Sequence, residues 1–168
     1  MNVTEAIRAR RSVRKYEPNV KMPQEHLRLI LEAAMHAPSA CNSRPWEFVV
    51  LESDKAKEDA LSIHPYAAHL RDASVGILVC AKEEKQTGIA QGFFPQDCGA
   101  AIQNILLQSL ELGYGSCWCG IYPKLERSQM FREKFGLDST PIALVVIGKP
   151  AEQPACRGFY DPSCVMVR

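Results

Sequence analysis

The stretch from about Pro95 to Leu112 limits the fold more than any other part of the chain. It is nearly apolar, places Ile102, Ile105, Leu106, Ser109 and Leu110 at helical spacing, and meets its stop signal at Gly113 and Gly115. A long helix that is apolar nearly all round has to be covered on both faces. Ser74–Ala81 reads as a buried strand by composition, and Ile142–Ile147 as another; such runs are far too short to span a bilayer. Around them, Val3 and Ile7 behind an Asn2 or Thr4 cap suggest a short first helix that stops near Arg10. Pro23 opens a second helix with Leu27, Ile30, Leu31 and Ala34 on one face, and Pro38 closes it. Trp46–Leu51 and Ser116–Ile121 read as strands, Asp54–Ile63 as a weaker helix ended by Pro65, and Leu125–Phe135 as a helix ending at Gly136. Mixed helices and strands imply a layered α+β or α/β domain, and the alternation alone leaves both open.

With 168 residues the chain has room for one domain, expected over residues 1–150. After Gly148 come twenty residues with Pro150, Pro154, Gly158 and Pro162 and no periodicity. The tail 151–168 is expected either to be disordered or to pack on something other than its own chain, a partner subunit first of all. Twenty Lys and Arg against nineteen Asp and Glu give a net charge of +1, so a general nucleic-acid or membrane-surface binder is disfavoured. The N-terminus has no apolar signal core, and a soluble, cytoplasmic protein is the expectation.

Seven cysteines stand at Cys41, Cys80, Cys98, Cys117, Cys119, Cys156 and Cys164. An odd count without a CxxC pair argues against a disulfide framework and against a zinc knuckle. The one-residue gap between Cys117 and Cys119 is poor for a structural zinc site, although on a strand both point the same way and could share a ligand. The stronger reading is reduced thiols acting as small hydrophobes, with no metal site.

Three stretches carry candidate chemistry. Arg8-Ala-Arg-Arg-Ser-Val-Arg-Lys15 holds five bases in eight residues with no acid. As a phosphate site it supplies guanidinium forks and a hydroxyl, and in an extended segment residues 10, 12 and 14 would share one face. As a solvated face it would be unremarkable. Ala37-Pro-Ser-Ala-Cys-Asn-Ser-Arg-Pro-Trp46 joins a helix to a strand and offers Ser39 and Asn42 as hydrogen-bonding groups, or is simply a capped end and a turn. Gly113–Pro123 contains Gly120, which lets backbone approach a ligand plane closely.

Taken together and in order, RRSVRKY, APSACNSRPWEF, QDCGAAIQNILLQSLELGYGSCW and a strand ending in GKP resemble the FMN-dependent nitroreductase family, in particular its small members, over residues 5–150. The resemblance implies an α+β layered fold, a mixed or antiparallel sheet flanked by helices, and two chains interlocked as a homodimer with FMN at the interface. It implies that Arg10, Arg11 and Ser12 contact phosphate and ribityl. Arg14 would support the negative charge that gathers at the pyrimidine end of the reduced flavin. Pro38, Ser39 and Asn42 would be the loop contributed by the other subunit. Trp118, Cys119 and Gly120 would lie under the flavin, with a backbone amide near N5, and Arg157 would close on the phosphate. Ala40 stands where the family often has a second Ser, and Arg44 where a Gln commonly precedes Pro-Trp. The activity implied is hydride transfer from NADH or NADPH, through the flavin, to a small-molecule acceptor such as a nitroaromatic or quinone. No side chain need be a nucleophile or obligatory acid. The alternative is a non-catalytic flavin- or anion-binding module.

Overall fold

Two nearly unbroken apolar runs form the middle of a sheet whose faces are both covered. The computed structural model describes residues 1–168 and contains four strands: β1 (Trp46–Leu51), β2 (Val75–Ala81), β3 (Gly115–Gly120) and β4 (Thr140–Gly148). Their order is β1-β2-β4-β3, and every pairing is antiparallel, so the α+β alternative holds. All seven residues of β2 are buried, as are all of β4 after Thr140. Continuous apolar strands are usual in parallel sheets; here an antiparallel sheet needs them because helices lie on both sides.

Val75, Ile77, Val79, Ala143, Val145 and Ile147 face α2 (Gln24–Met35) and α4 (Phe94–Glu111). Leu78, Cys80, Leu144 and Val146 face the opposite layer, made of α3 (Asp54–Leu61), the 3-10 turn Ala68–Arg71 and α5 (Leu125–Phe135). Local signals set the ends. Helix α1 (Val3–Ala9) starts on a capping box in which Asn2 Oδ1 accepts from Glu5 N and Glu5 accepts from Asn2 N. Helix α5 stops on Gly136, whose φ of 63° is the left-handed cap. Helix α4 buries the stripe Cys98, Ala101, Ile102, Ile105, Leu106, while Ala100, Leu107 and Leu110 on its other side are half-buried. In one chain, therefore, the long helix is fully covered on one face only.

The basic segment after α1 runs along the sheet's rim. Val13 N donates to Ser116 O (2.9 Å) and Glu17 N to Lys149 O (2.9 Å). The Tyr16 hydroxyl donates to Val13 O at 2.7 Å and also has Val146 O in reach at 3.3 Å. The tail departs from expectation at its start. Ala151 N donates to Lys15 O (2.9 Å), and Glu152 accepts from Arg14 N (2.6 Å) and Lys15 N (3.2 Å), so its first residues pack on their own chain. These contacts join residues more than 130 positions apart, which periodicity cannot reveal. Further on the tail is open: Phe159 is 83% and Val167 91% exposed. No helix is long and apolar enough to cross a membrane.

Two glycines set the approach of this segment. A Cβ at Gly115 would lie 2.8 Å from Val13 Cβ, and one at Gly148 2.9 Å from the Tyr16 ring. Gly115→Ala should therefore cost about 1–3 kcal/mol by overpacking, because Val13 is held by its own backbone hydrogen bond and cannot yield. Urea unfolding checks this, and a loss below about 0.5 kcal/mol would show that the segment is free to shift.

Candidate functional site

Arg10, Arg11, Ser12, Arg14 and Arg157 line one cavity of about 970 Å³, together with Arg8, Lys15 and Glu152. Arg10, Ser12 and Arg14 line one space as the alternation expects, but strict alternation does not hold. Arg11 and Lys15 line the same space, because the segment touches the sheet through isolated bridges at Ser12 and Tyr16 rather than a regular ladder. None of the chain's ion pairs uses Arg10, Arg11, Arg14 or Arg157. Glu152, the acid in the cavity, uses its oxygen on the amides of Arg14 and Lys15. Uncompensated guanidinium groups around a hydroxyl are a donor set for an anion with several oxygens.

The second group, Pro38, Ser39 and Asn42, is elsewhere in this chain, on the loop between α2 and β1, and lines no part of that cavity. Ser39 Oγ accepts from Arg44 N (2.9 Å), and Arg44 reaches back with Nη2 to Met35 O at the end of α2 (3.5 Å). Cys41, Asn42 and Arg44 have φ of 50°, 52° and 49°, an uncommon conformation for side chains of this size. A buried carboxylate supports it. Asp97 accepts from Ala40 N at 3.1 Å with each oxygen and from Gln86 Nε2 at 2.7 Å.

The third group lies on β3. Trp118 is 42% exposed on the α4 side, where a Cβ at Gly99 would stand 3.6 Å from its ring. Cys119 points to the opposite face and is buried, so only its backbone is available to a ligand on Trp118's side. Gly120 has no atom within 4 Å of where a Cβ would be, and its carbonyl accepts from His64 Nε2 (3.0 Å) and Arg127 Nη1 (3.4 Å). Burial lowers the pKa of His64, which keeps it a neutral donor. Burial likewise pushes the Tyr16 phenol up. Cys117 is pulled down by a hydrogen bond from the Cys119 thiol, with His69 and Arg14 adding to it; Cys119 is pushed up by the same bond and by burial.

The sequence matches the model of the nitroreductase family over residues 7–66 and 55–149. The chain belongs to the nitroreductase family. A Methanothermobacter thermautotrophicus protein provisionally named NADH dehydrogenase/NAD(P)H nitroreductase is 41% identical over 164 residues, which is 96% of this chain and 84% of that protein. A Parabacteroides distasonis structure with the same provisional name superposes with a TM-score of 0.90 at 29% identity, over 98% of this chain and 96% of that one. A Desulfovibrio desulfuricans protein provisionally assigned as a nitroreductase, solved in complex with FMN, gives 0.87 at 31% identity, over 100% and 97%.

In this member of the nitroreductase family, several contributors escape a reading by motif. Asp97 is an acid in the first turn of an otherwise apolar helix, a signal of a satisfied buried charge. Gln86, His64 and Arg127 carry no such mark, because each acts on backbone or on a side chain brought in by the fold. Asp97→Ala leaves the Ala40 amide and the Gln86 amide without their acceptor, and should cost about 1.5–3 kcal/mol. Hydrogen exchange at residues 39–44 should rise in that variant, and unchanged protection there would separate Asp97 from the loop.

His64 supplies a pH test. Its folded pKa lies below the ordinary 6.5, so the unfolded chain binds the proton more tightly and stability falls as pH drops through about 6.5 towards the folded value; above that range its contribution is flat. His64→Gln keeps an N–H donor for Gly120 O and should make this acid loss shallower in urea titrations. An equal loss in both proteins would assign it to other groups.

Proposed function

We propose that this chain binds FMN and works as an NAD(P)H-dependent oxidoreductase that reduces a small-molecule acceptor such as a nitroaromatic or quinone. The observation that carries the proposal is the cavity of unpaired guanidinium groups, pinned to the sheet in a chain of this family. The donor set fits the cofactor: Arg10, Arg11, Ser12 and Arg157 would hold the phosphate, and Gly120, with open space at its α-carbon, would lie against the ring system. Bound FMN would supply the hydride chemistry, accepting from NADH or NADPH and giving to the acceptor.

The chain's own residues bind and orient. Arg14 is a fixed cation for negative charge that grows on reduction, and such preorganised charge favours the more charged state. Its charge bears on Cys117 and Cys119 of β3, and that nearness to the strand supports a role at the ring end of the cofactor. Ser12 would donate equally before and after reduction, so it contributes to affinity and little to rate.

Pro38, Ser39 and Asn42 would meet the cofactor from a second copy of the chain. Support comes from their distance from the basic cavity in one chain, from an Asn42 side chain with no partner in that chain, and from surfaces that one chain leaves open. Those surfaces include the outer side of α4, Val3 and Ile7 of α1 (73% and 57% exposed), and the tail beyond Arg157. The tail would cross onto the partner, giving a homodimer with two shared sites.

Two measurements test the reading. The purified protein should be yellow and should bleach with NADH or NADPH; colour without bleaching would favour a non-catalytic flavin-binding module, and a colourless protein that takes up no FMN would sink the proposal. Arg14→Ala should slow flavin reduction by an amount equivalent to about 1.5–3 kcal/mol, and Ser12→Ala should instead weaken FMN binding with a near-normal rate. An unchanged rate in Arg14→Ala would remove it from the ring end of the site. For the assembly, deletion of 161–168 spares Arg157 and the cavity but removes the exposed Val165–Val167 segment. Sedimentation should show a weaker dimer and, by mass action, weaker FMN retention. A monomer that binds FMN stoichiometrically would refute the shared site.

A further inference from the structure

Cys117 and Cys119 stand at i and i+2 on β3, so both side chains leave the same face of the strand, and that face is the one turned away from Trp118. The fold brings a third soft ligand to them. His69, from the 3-10 turn Ala68–Arg71, lies with Nε2 3.7 Å from Cys119 Sγ, and the three ligand atoms all fall within 4.8 Å of one another. We propose that His69, Cys117 and Cys119 form a binding site for a thiophilic divalent ion of the Zn²⁺ class, with the fourth position left to water or another small ligand.

Geometry supports this first. A tetrahedral ion with metal–sulfur bonds of about 2.3 Å and metal–nitrogen bonds of about 2.0–2.1 Å needs its ligand atoms roughly 3.5–3.8 Å apart. The Cys119–His69 distance already meets that, and the remaining pairs need to close by at most about 1.3 Å. Charge supports it next. Two thiolates and a neutral imidazole cancel a divalent cation, so the occupied site is neutral, as a place with both cysteines buried requires. Ligand type excludes hard ions: no carboxylate belongs to the cluster, and Mg²⁺ or Ca²⁺ would find no oxygen set. On binding, two metal–sulfur bonds form, and each proton still held by the two sulfurs passes to solvent.

No neighbouring polar side chain supplies a fourth ligand. Tyr16, whose ring centre is 6.1 Å from that of His69, spends its hydroxyl on Val13 O and Val146 O. Cys98 Sγ donates to Cys80 O, and both cysteines stand outside the cluster. The one-residue spacing that is poor for zinc within a loop is adequate on a strand, where the pleat aligns the two sulfurs and a third ligand closes from another element. An ion there would tie the edge strand β3 to the Ala68–Arg71 turn, one residue before Gly120.

The test uses the FMN-loaded protein, kept reduced, with the exposed Cys41, Cys156 and Cys164 changed to Ser so that other thiols do not compete. Equilibrium dialysis against Zn²⁺ should leave one ion per chain, and should raise the melting temperature. Cys119→Ser and His69→Ala in that background should each weaken binding by at least the roughly 10–100-fold that loss of an outer-shell partner causes. Retention well below one ion per chain, or retention undiminished in both variants, would overturn the site. Where a variant fails to fold, Co²⁺ decides in the parent protein. Intense long-wavelength bands of tetrahedral thiolate coordination support the proposal, and the weak spectrum of an octahedral oxygen-bound ion refutes it.

Discussion

Like charges drawn into one place repel, and the basic segment is held together by groups that carry no charge. The Val13 amide bonds to Ser116 O, and the Val13 and Tyr16 side chains enter the core in the spaces that Gly115 and Gly148 leave open. Tyr16 bonds back to the carbonyl of Val13, closing the turn that faces Arg14 and Lys15 outward. The cost of keeping these cations together is carried by apolar burial, and an anion with several oxygens would relieve it. A surface cluster without such anchoring has no fixed backbone; here the backbone from which the cations project is pinned to the sheet's rim.

The sheet makes that anchoring rigid. Its two middle strands are buried on both faces, so neither can move without opening two layers of core at once. The same frame positions the strained loop at 41–44. Helix α4 packs along the sheet and carries Asp97 in its first turn, where the carboxylate meets the Ala40 amide and Gln86. Positive φ at Cys41, Asn42 and Arg44 costs of order 1–3 kcal/mol each, and it persists because hydrogen bonds from two other elements define the loop.

The elements were legible because their signals are local. Trp46–Leu51 and Leu125–Phe135 are read to the residue from composition and from the Gly136 stop, and the helix from 94 to 111 differs by one residue at each end from its apolar pattern. The resemblance carried by RRSVRKY and APSACNSRPWEF could assign roles but not distances. What local signals could not supply is pairing across the chain. Asp97 and Ala40 are 57 residues apart, and Glu152 and Arg14 are 138 apart. The alternation expected of residues 10, 12 and 14 left out Arg11 and Lys15 for a related reason: it presumed a regular strand, whereas the segment touches the sheet at isolated points.

Strand β3 shows how an edge strand can serve two sides at once. Its pleat sends Trp118 towards α4 and Cys117 and Cys119 towards the other layer, and it ends in a residue with no side chain. Glycine there leaves room above the backbone but brings conformational freedom, at roughly 0.5–1 kcal/mol relative to alanine. The fold removes that freedom from outside the strand. His64 and Arg127 both donate to the Gly120 carbonyl, and Arg127 is itself placed over the Tyr66 ring at 5.8 Å. His64 and His69 come from one short stretch between α3 and β2, so that stretch holds the strand end at two points, one through a carbonyl and one through a thiol. The openness at Gly120 is therefore that of a fixed backbone, and a planar group laid against it would meet a surface that does not have to be ordered on binding.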